Sequence, residues 1–392
     1  MILIFKTAFK NIIGAGRRTW LNVAVLSLTL VIMIAFMGTI DGYVEEARHA
    51  TREWETREGQ IWHPEYDRFD VFTLQDAHGV IPAELNECVR SGAAVPILVL
   101  QGSIFPQGRM QNILLKGIPA TQRALKLPSW ELKPDGSGDI PAIIGRRMAQ
   151  SAQLAVGDRV MLRWRDKNGV FDARNIFIAF IFDTKVPAVD AGQIWLSIDD
   201  LYEMTGMAGE ATYLVRTNDC AVSSDISGWQ YKNLKFLMAD IDLMELHSRV
   251  EGIVIFMILL SLALLAIYDT QVLSIYRRQK EIGTYVALGM TPKTVTALFT
   301  LEGTTYSILA VLLSAVWGTP LLAWYAKVGI PVPGGDVYGL AGIDDAMFPA
   351  YNLSSILTTI AVVIVFSALI SYLPSRKIAK QNMVLALKGK IN

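Results

Sequence analysis

The sequence is poor in the residues that carry metal and nucleophile chemistry. Among 392 residues there are four histidines and two cysteines. His49, His63, His78 and His247 show no H-E-x-x-H or other close ligand spacing, and two cysteines cannot build a zinc finger. His63, beside Pro64 and Glu65, reads as an ordinary surface histidine. No G-x-x-x-x-G-K-[ST] run occurs, so the chain has no P-loop of its own for ATP. No G-x-S-x-G elbow occurs either, which removes the usual signature of a serine hydrolase. No catalytic residue, no metal site and no cofactor bound by this chain are therefore expected. Charge is scarce as well. Asp, Glu, Lys and Arg make up 18% against 52% hydrophobic residues, below the usual level of about a quarter. With 36 basic and 36 acidic residues, the overall balance points to no nucleic acid.

What the chain has instead is long apolar runs. Residues 21–40 carry no charge and as a helix would span roughly 30 Å, the thickness of a bilayer core. Before them, 1–20 place Ile2, Phe5, Phe9 and Ile13 on one helical face among lysines and arginines, the pattern of an interfacial helix. Further spans are expected at 253–275, at 299–324 with an interruption at Gly318 and Pro320, and at 354–373. Basic residues crowd the N-terminus, the 276–298 loop and the 374–392 tail, whereas the 325–353 loop carries Asp336, Asp344 and Asp345 against Lys327. The positive-inside rule then puts both termini in the cytoplasm and residues 41–252 outside. Asp269, near the inner end of the second span, reads as an interfacial charge. Met33, Met37 and Met257 offer a flexible apolar surface able to take an acyl chain, with ordinary helix packing as the alternative.

The 41–252 stretch opens and closes on charged helical sequence. Tyr43, Ala47, Ala50 and Trp54 form a thin stripe that fits Leu237, Ile241 and Met244, which suggests two stalk helices packed on each other, with a solvated linker helix as the alternative. Between them the sequence turns β-rich. Strands are expected at 94–104, 112–118, 160–164, 176–182, 193–196 and 212–216, and Asn168-Gly169 is a hairpin turn signal. Short helices are expected at 82–90, 146–153 and 199–205. The fold class is a membrane protein with four transmembrane α-helices and an α+β extracytoplasmic domain inserted between helices 1 and 2. Cys88 and Cys220 both fall in that domain, where a disulfide is permitted and a free pair is the alternative.

One charged stretch lies between two of the apolar runs. Arg277, Arg278, Lys280 and Glu281 open it, with Ile275, Ile282 and Val286 at helical spacing behind them. Gly289 breaks this helix, and Thr291-Pro292 restarts another with a cap and a proline at its first position. Arg278, Glu281, Ile282, Gly283, Ala287, Leu288, Gly289 and then Glu302-Gly303 resemble the R-x-x-E-I-G-x-x-x-A-L-G signature of FtsX-like permeases. These are the membrane subunits of one class of ABC transporter. In layout the chain is most similar to the MacB-type and lipoprotein-releasing (Lol) members. Ile144-Gly145-Arg146, Leu154 and Val156-Gly157-Asp158 are similar to a run in those permeases, and Pro374 and Ala386-Leu387-Lys388 look like their closing motif, with Met383 where a proline is usual.

The resemblance implies that 276–298 is a coupling helix, with Arg277 and Glu302 included in the segment that docks on a cytoplasmic ABC ATPase dimer. It implies ATP and Mg bound on that partner, a second permease copy or related chain, a lipid membrane, and a lipoprotein or other periplasmic substrate. It places the chain in the cell inner membrane, with Tyr43, Ala47, Trp54, Leu237, Ile241 and Met244 passing movement along the stalks. Lipoprotein release is the first function it implies. MacB-like export of toxins, drugs or peptides is the second, and a non-transporting regulator of a cell-wall hydrolase is the alternative from another class.

Overall fold

The computed structural model describes residues 17–134, 136, 138–222, 224–331 and 346–379. Most of the expected interfacial helix, much of the acidic loop and most of the tail, including the closing motif beyond Pro374, lie outside the described residues. The chain divides into two compact units. A β-rich unit takes Val44–Met244, and a helical unit takes the described residues up to Tyr43, Glu245–Pro331 and those from Ala346 onward.

The β-rich unit contains β1 (Gly59–Trp62), β2 (Gly79–Val80), β3 (Ala94–Ile104), β4 (Gln111–Ile118), β5 (Ile140–Gly145), β6 (Arg159–Arg165), β7 (Phe171–Phe182), β8 (Gln193–Ser197), β9 (Glu210–Ala211), β10 (Tyr213–Arg216) and β11 (Gln230–Asn233). Nine of these form one sheet in the order β11-β1-β10-β3-β4-β8-β5-β7-β6. Gly102, Ser103 and Ile104 of β3 also pair with Trp164, Arg163 and Leu162 of β6. That pairing closes β3, β4, β8, β5, β7 and β6 into a six-stranded barrel. The first residues of β3 pair instead with β10, so β10, β1 and β11 extend from the barrel as an open flap. The β4–β8 and β5–β7 pairs are parallel, which requires the long connections that separate them in sequence.

The sequences of β3 up to Leu100 and of β5 are continuously apolar because both of their faces are covered, whereas β6 alternates buried Val160, Leu162 and Trp164 with more exposed neighbours. In β3, Leu98 and Leu100 enter one buried cluster with Leu115, Ile144, Ile178 and Leu196. Their neighbours Ile97 and Val99 point the other way, into a second cluster with Ile143 and Trp195. A strand half-covered by water would alternate with polar residues; these cannot. The expected strands correspond to β3, β4, β6, β7, β8 and β10, whereas β1, β2, β5, β9 and β11 were not expected.

The Ile144-Gly145-Arg146 run has a direct physical cause. Gly145 precedes the helix Arg146–Ala152 and offers no side-chain cap. Asp190, 1% exposed, supplies the cap from another segment. Its Oδ1 accepts from the amides of Arg147 at 2.9 Å and Met148 at 3.4 Å, and its Oδ2 faces Arg147 Nη1 at 3.4 Å. A Cβ on residue 145 would overlap the Asp190 carboxylate. In the Val156-Gly157-Asp158 run, Gly157 has φ +92° and donates to Ile178 O at 2.8 Å, and Asp158 accepts from Ala155 N at 2.7 Å. Cys88 and Cys220 are disulfide-bonded, with Cα atoms 5.5 Å apart.

Lys116 of β4 is buried, with its ammonium 5.0 Å from the Trp195 ring and 3.4 Å from Ala188 O. Burial pushes its pKa down to about 8.

The helical unit is built from α1 (Arg17–Thr51), α2 (Ala239–Arg277), α3 (Gln279–Ala287), α4 (Pro292–Val328) and α5 (Leu353–Ala379). Four of these are long and apolar enough to cross a membrane. In the membrane unit α1 is held by polar ties that suit an apolar medium. Asn22 Nδ2 donates to Thr270 Oγ1 at 2.6 Å and to Ala266 O at 3.2 Å, and Trp317 Nε1 donates to Ser27 Oγ at 2.8 Å. At its other end Asp41 pairs with Arg249 at 2.6 Å. Gly38 and Gly42 let the 348–351 turn lie directly on the helix, where Ala350 N donates to Gly38 O at 2.8 Å. The expected interruption at Gly318 and Pro320 is corrected: α4 runs through both. Gly318 instead makes room for Val31.

Two outcomes follow from the β-rich unit. Gly145→Ala should lower stability by about 3 kcal/mol, through loss of the cap and displacement of a buried carboxylate. An unchanged melting temperature of the full chain in detergent would contradict the capping account. Lys116 has a folded pKa below its unfolded value, so the unfolded state binds the extra proton between about pH 8 and 10.5. Stability should therefore rise with pH across that window. Lys116→Met should abolish the rise and stabilise the protein at pH 7 by about 3 kcal/mol, read from denaturation curves at pH 7 and 10.

Candidate functional site

The site forms where α2 ends and α4 begins. Arg278 stands between α2 and α3 and is the N-cap residue of α3. Its Nε donates to Glu281 Oε2 at 2.8 Å and its Nη1 to Glu302 Oε2 at 2.9 Å. The Glu302 side chain is 3% exposed and the Arg278 side chain 17%. The guanidinium also lies 5.2 Å from the centre of the Phe299 ring. A carboxylate this deep needs a full opposite charge, and Arg278 supplies it with planar, charge-assisted bonds.

Below the charges sits a small apolar core of Ile275, Ile282, Val295 and Phe299, with Val286 and Met290 packed against it. It fixes α3 against the first turns of α4. Gly289 adopts φ +96° and ends α3, and Met290 N donates to Tyr285 O at 3.0 Å. Thr291 then caps α4, its Oγ1 accepting from Thr294 N at 3.3 Å, with Pro292 at the first position.

The signature residues divide into two groups. Arg278, Ile282, Gly283 and Glu302 face the interior or each other. Arg277, Glu281, Ala287, Leu288 and Gly289 face outward, and Leu288 is 80% exposed. A leucine held out at the end of a short charged helix is the kind of knob that a protein partner covers. Phe299 escaped the sequence reading. Its signal was present, since it stands three residues before Glu302 and so shares that face of α4.

The stalk residues are only partly brought together. Ala50 and Leu237 enter one buried cluster, with Trp54 packed against it. Ala47 is buried, while Tyr43, Ile241 and Met244 are half-buried. Trp54 and Leu237 join the cluster that holds Ala50 but stand outside the regular long helices. A π-helical turn at Arg52–Thr56 rotates the chain after α1, and Trp54 stacks on Phe182 of β7 at 5.7 Å. Leu237 closes a separate short helix, Leu234–Leu237, before α2 starts. Within the β-rich unit the two helices are tied by an ion pair, Arg48 to Asp242 at 2.6 Å.

Met33 and Met37 are buried in the helix packing at 6% and 9% exposure, whereas Met257 faces outward. The three therefore form no common open surface, because the first two are buried, Met37 against Gly252. Asp269 is exposed. Among the described residues, no group of three His, Cys, Asp or Glu is placed to hold a metal.

Residues 253–383 match the family model of the FtsX-like permease C-terminal domain, and four of the described helices are long and apolar enough to cross a membrane. Beyond that domain, the similarity extends over most of the chain. It is 23% identical over 362 residues to the lipoprotein-releasing system transmembrane protein LolC of Xylella fastidiosa strain Temecula1, covering 84% of this chain and 83% of that protein. The LolC protein of strain 9a5c is 23% identical over 381 residues, covering 89% and 87%.

The buried pair predicts a specific pattern of variants. Glu302→Ala should leave Arg278 with the exposed Glu281 carboxylate alone and destabilise the helical unit by about 3 kcal/mol, whereas Glu302→Ala with Arg278→Met should recover most of the loss. Unfolding by SDS titration measures both; losses that simply add would contradict the pairing.

Proposed function

We propose that this chain passes the movements of a separate cytoplasmic ATPase dimer to its β-rich unit, and that the task performed is release of lipoproteins from the inner membrane. The observation that carries the coupling reading is the division of the 277–303 segment: a buried Arg278–Glu302 clamp inside, and Ala287, Leu288 and Gly289 outside. A push on the outer face would reach α2 and α4 through that clamp, because neither charge can leave the other without a large desolvation cost. ATP and Mg would be held by the partner, and a second permease would complete the membrane part.

In this arrangement both termini and α3 lie in the cytoplasm, and the β-rich unit lies in the periplasm. The disulfide of Cys88 and Cys220 suits that oxidising side. Movement would pass to the β-rich unit along α1 and α2, with Ala47, Trp54, Leu237, Ile241 and Met244 as the residues through which it is felt. Lipoprotein as substrate is supported by the likeness to the LolC proteins.

Leu288→Glu should leave folding intact, since the side chain is exposed, yet lower ATPase binding and lipoprotein release. Co-purification with the ATPase and release from spheroplasts read the two effects. Normal binding and release by a well-expressed variant would exclude 284–289 as the docking face. A cysteine replacing Gln150 should react with a membrane-impermeant thiol reagent once the outer barrier is opened, and one replacing Thr284 only after lysis. Equal labelling would overturn the topology.

A further inference from the structure

The β-rich unit has a groove of about 920 Å³ where β6 diverges from β3. Leu74, Leu100, Ile113, Trp164 and Met207 are among the apolar side chains lining it, each at most 5% exposed. Its rim is different. Phe72 is 90% exposed and Phe171 66%, an unusual degree for two phenylalanines beside one opening. Three cations stand on the same rim: Arg163, Arg165 and Lys167. Arg163 is held between the rings of Phe105 and Phe171, at 5.8 and 5.2 Å. Arg165 donates to Gly169 O at 3.0 Å. None of the three forms an ion pair with a carboxylate among the described residues. Asp166 and Asp76 are the rim acids, and Asp166 is turned into its own loop, accepting from Asn168 N at 2.9 Å and Val170 N at 2.8 Å.

We propose that this groove binds a single-chain anionic amphiphile, a fatty carboxylate or lysophospholipid, with its hydrocarbon against Val71, Phe72 and Phe171 and its anionic head among Arg163, Arg165 and Lys167. The assignment rests on charge complementarity joined to exposed apolar side chains at the same mouth. A neutral apolar ligand would leave three cations unused, and a purely polar anion would leave both phenylalanines exposed to water. The volume falls within the range of roughly 300–1,000 Å³ typical of small-molecule sites. Phe72, at 90% exposure, can close over a chain once it is seated. The inference is independent of which substrate the permease moves.

The test uses the full chain in nanodiscs of zwitterionic lipid, a photoactivatable diazirine palmitate, and mass-spectrometric mapping of the labelled peptides. Adducts are expected within residues 71–78 and 163–171. The double variant Arg163→Glu with Arg165→Glu should lower them about tenfold, the effect of losing two exposed charge contacts. Gln101→Trp, an exposed position on the groove, should block labelling without disturbing the core. Adducts on the four long helices serve as the internal standard and should not change. The corresponding diazirine alcohol should label the groove less than the acid. Labelling confined to the long helices, or equal groove labelling by acid and alcohol in wild type and double variant, would overturn the proposal. Cross-links from Lys167 to a second protein in place of probe adducts would assign the groove to a protein partner and overturn it equally.

Discussion

A carboxylate buried at the start of an apolar helix is the constraint around which the helical unit is arranged. Glu302 cannot be left without a positive charge, because an unpaired ion in such surroundings is costly. Arg278 meets it across the α3 turn, and in doing so it also engages Glu281 and lies against Phe299. The apolar core of Ile275, Ile282, Val295 and Phe299 keeps that geometry from drifting. A short helix that would be marginal alone is thereby given one position.

The same economy appears in the β-rich unit with a different device. There a barrel closes by three residue pairs between β3 and β6, and what remains of β3 serves the open flap. One strand thus belongs to two arrangements, and the groove with the exposed phenylalanines lies where they part. Buried polar groups pin the edges. Asp190 caps a helix it does not belong to, and the glycine before that helix exists to let it in. Lys116 is the exception, a buried charge that costs stability and is only partly compensated by Ala188 O and Trp195.

The functional conclusion rests on separate supports. The family match covers residues 253–383, where the geometry gives the signature two faces, one buried and one exposed. The likeness to LolC proteins reaches across most of the chain and bears on the substrate. Coupling and lipoprotein release are thus argued from different observations, and each can fail without the other.

Periodicity and spacing were enough for the four long helices, for the end of α3 at Gly289 and the cap at Thr291, and for most strands. These are local matters: a glycine with positive φ, a threonine before a proline, and a run of apolar residues of bilayer length act through their own neighbours. Which of the adjacent Arg277 and Arg278 meets Glu302 was not legible, because the two stand side by side in the sequence. Nor were contacts between residues far apart in sequence. The π turn that carries Trp54 to Phe182, the approach of Asp190 to Gly145, the burial of Met33 and Met37, and the closure of β3 on β6 all depend on chain segments meeting in space. Apolar runs state that a surface will be covered, but hydrophobic burial is non-directional and does not name the residue that covers it. Only the tertiary structure made that choice.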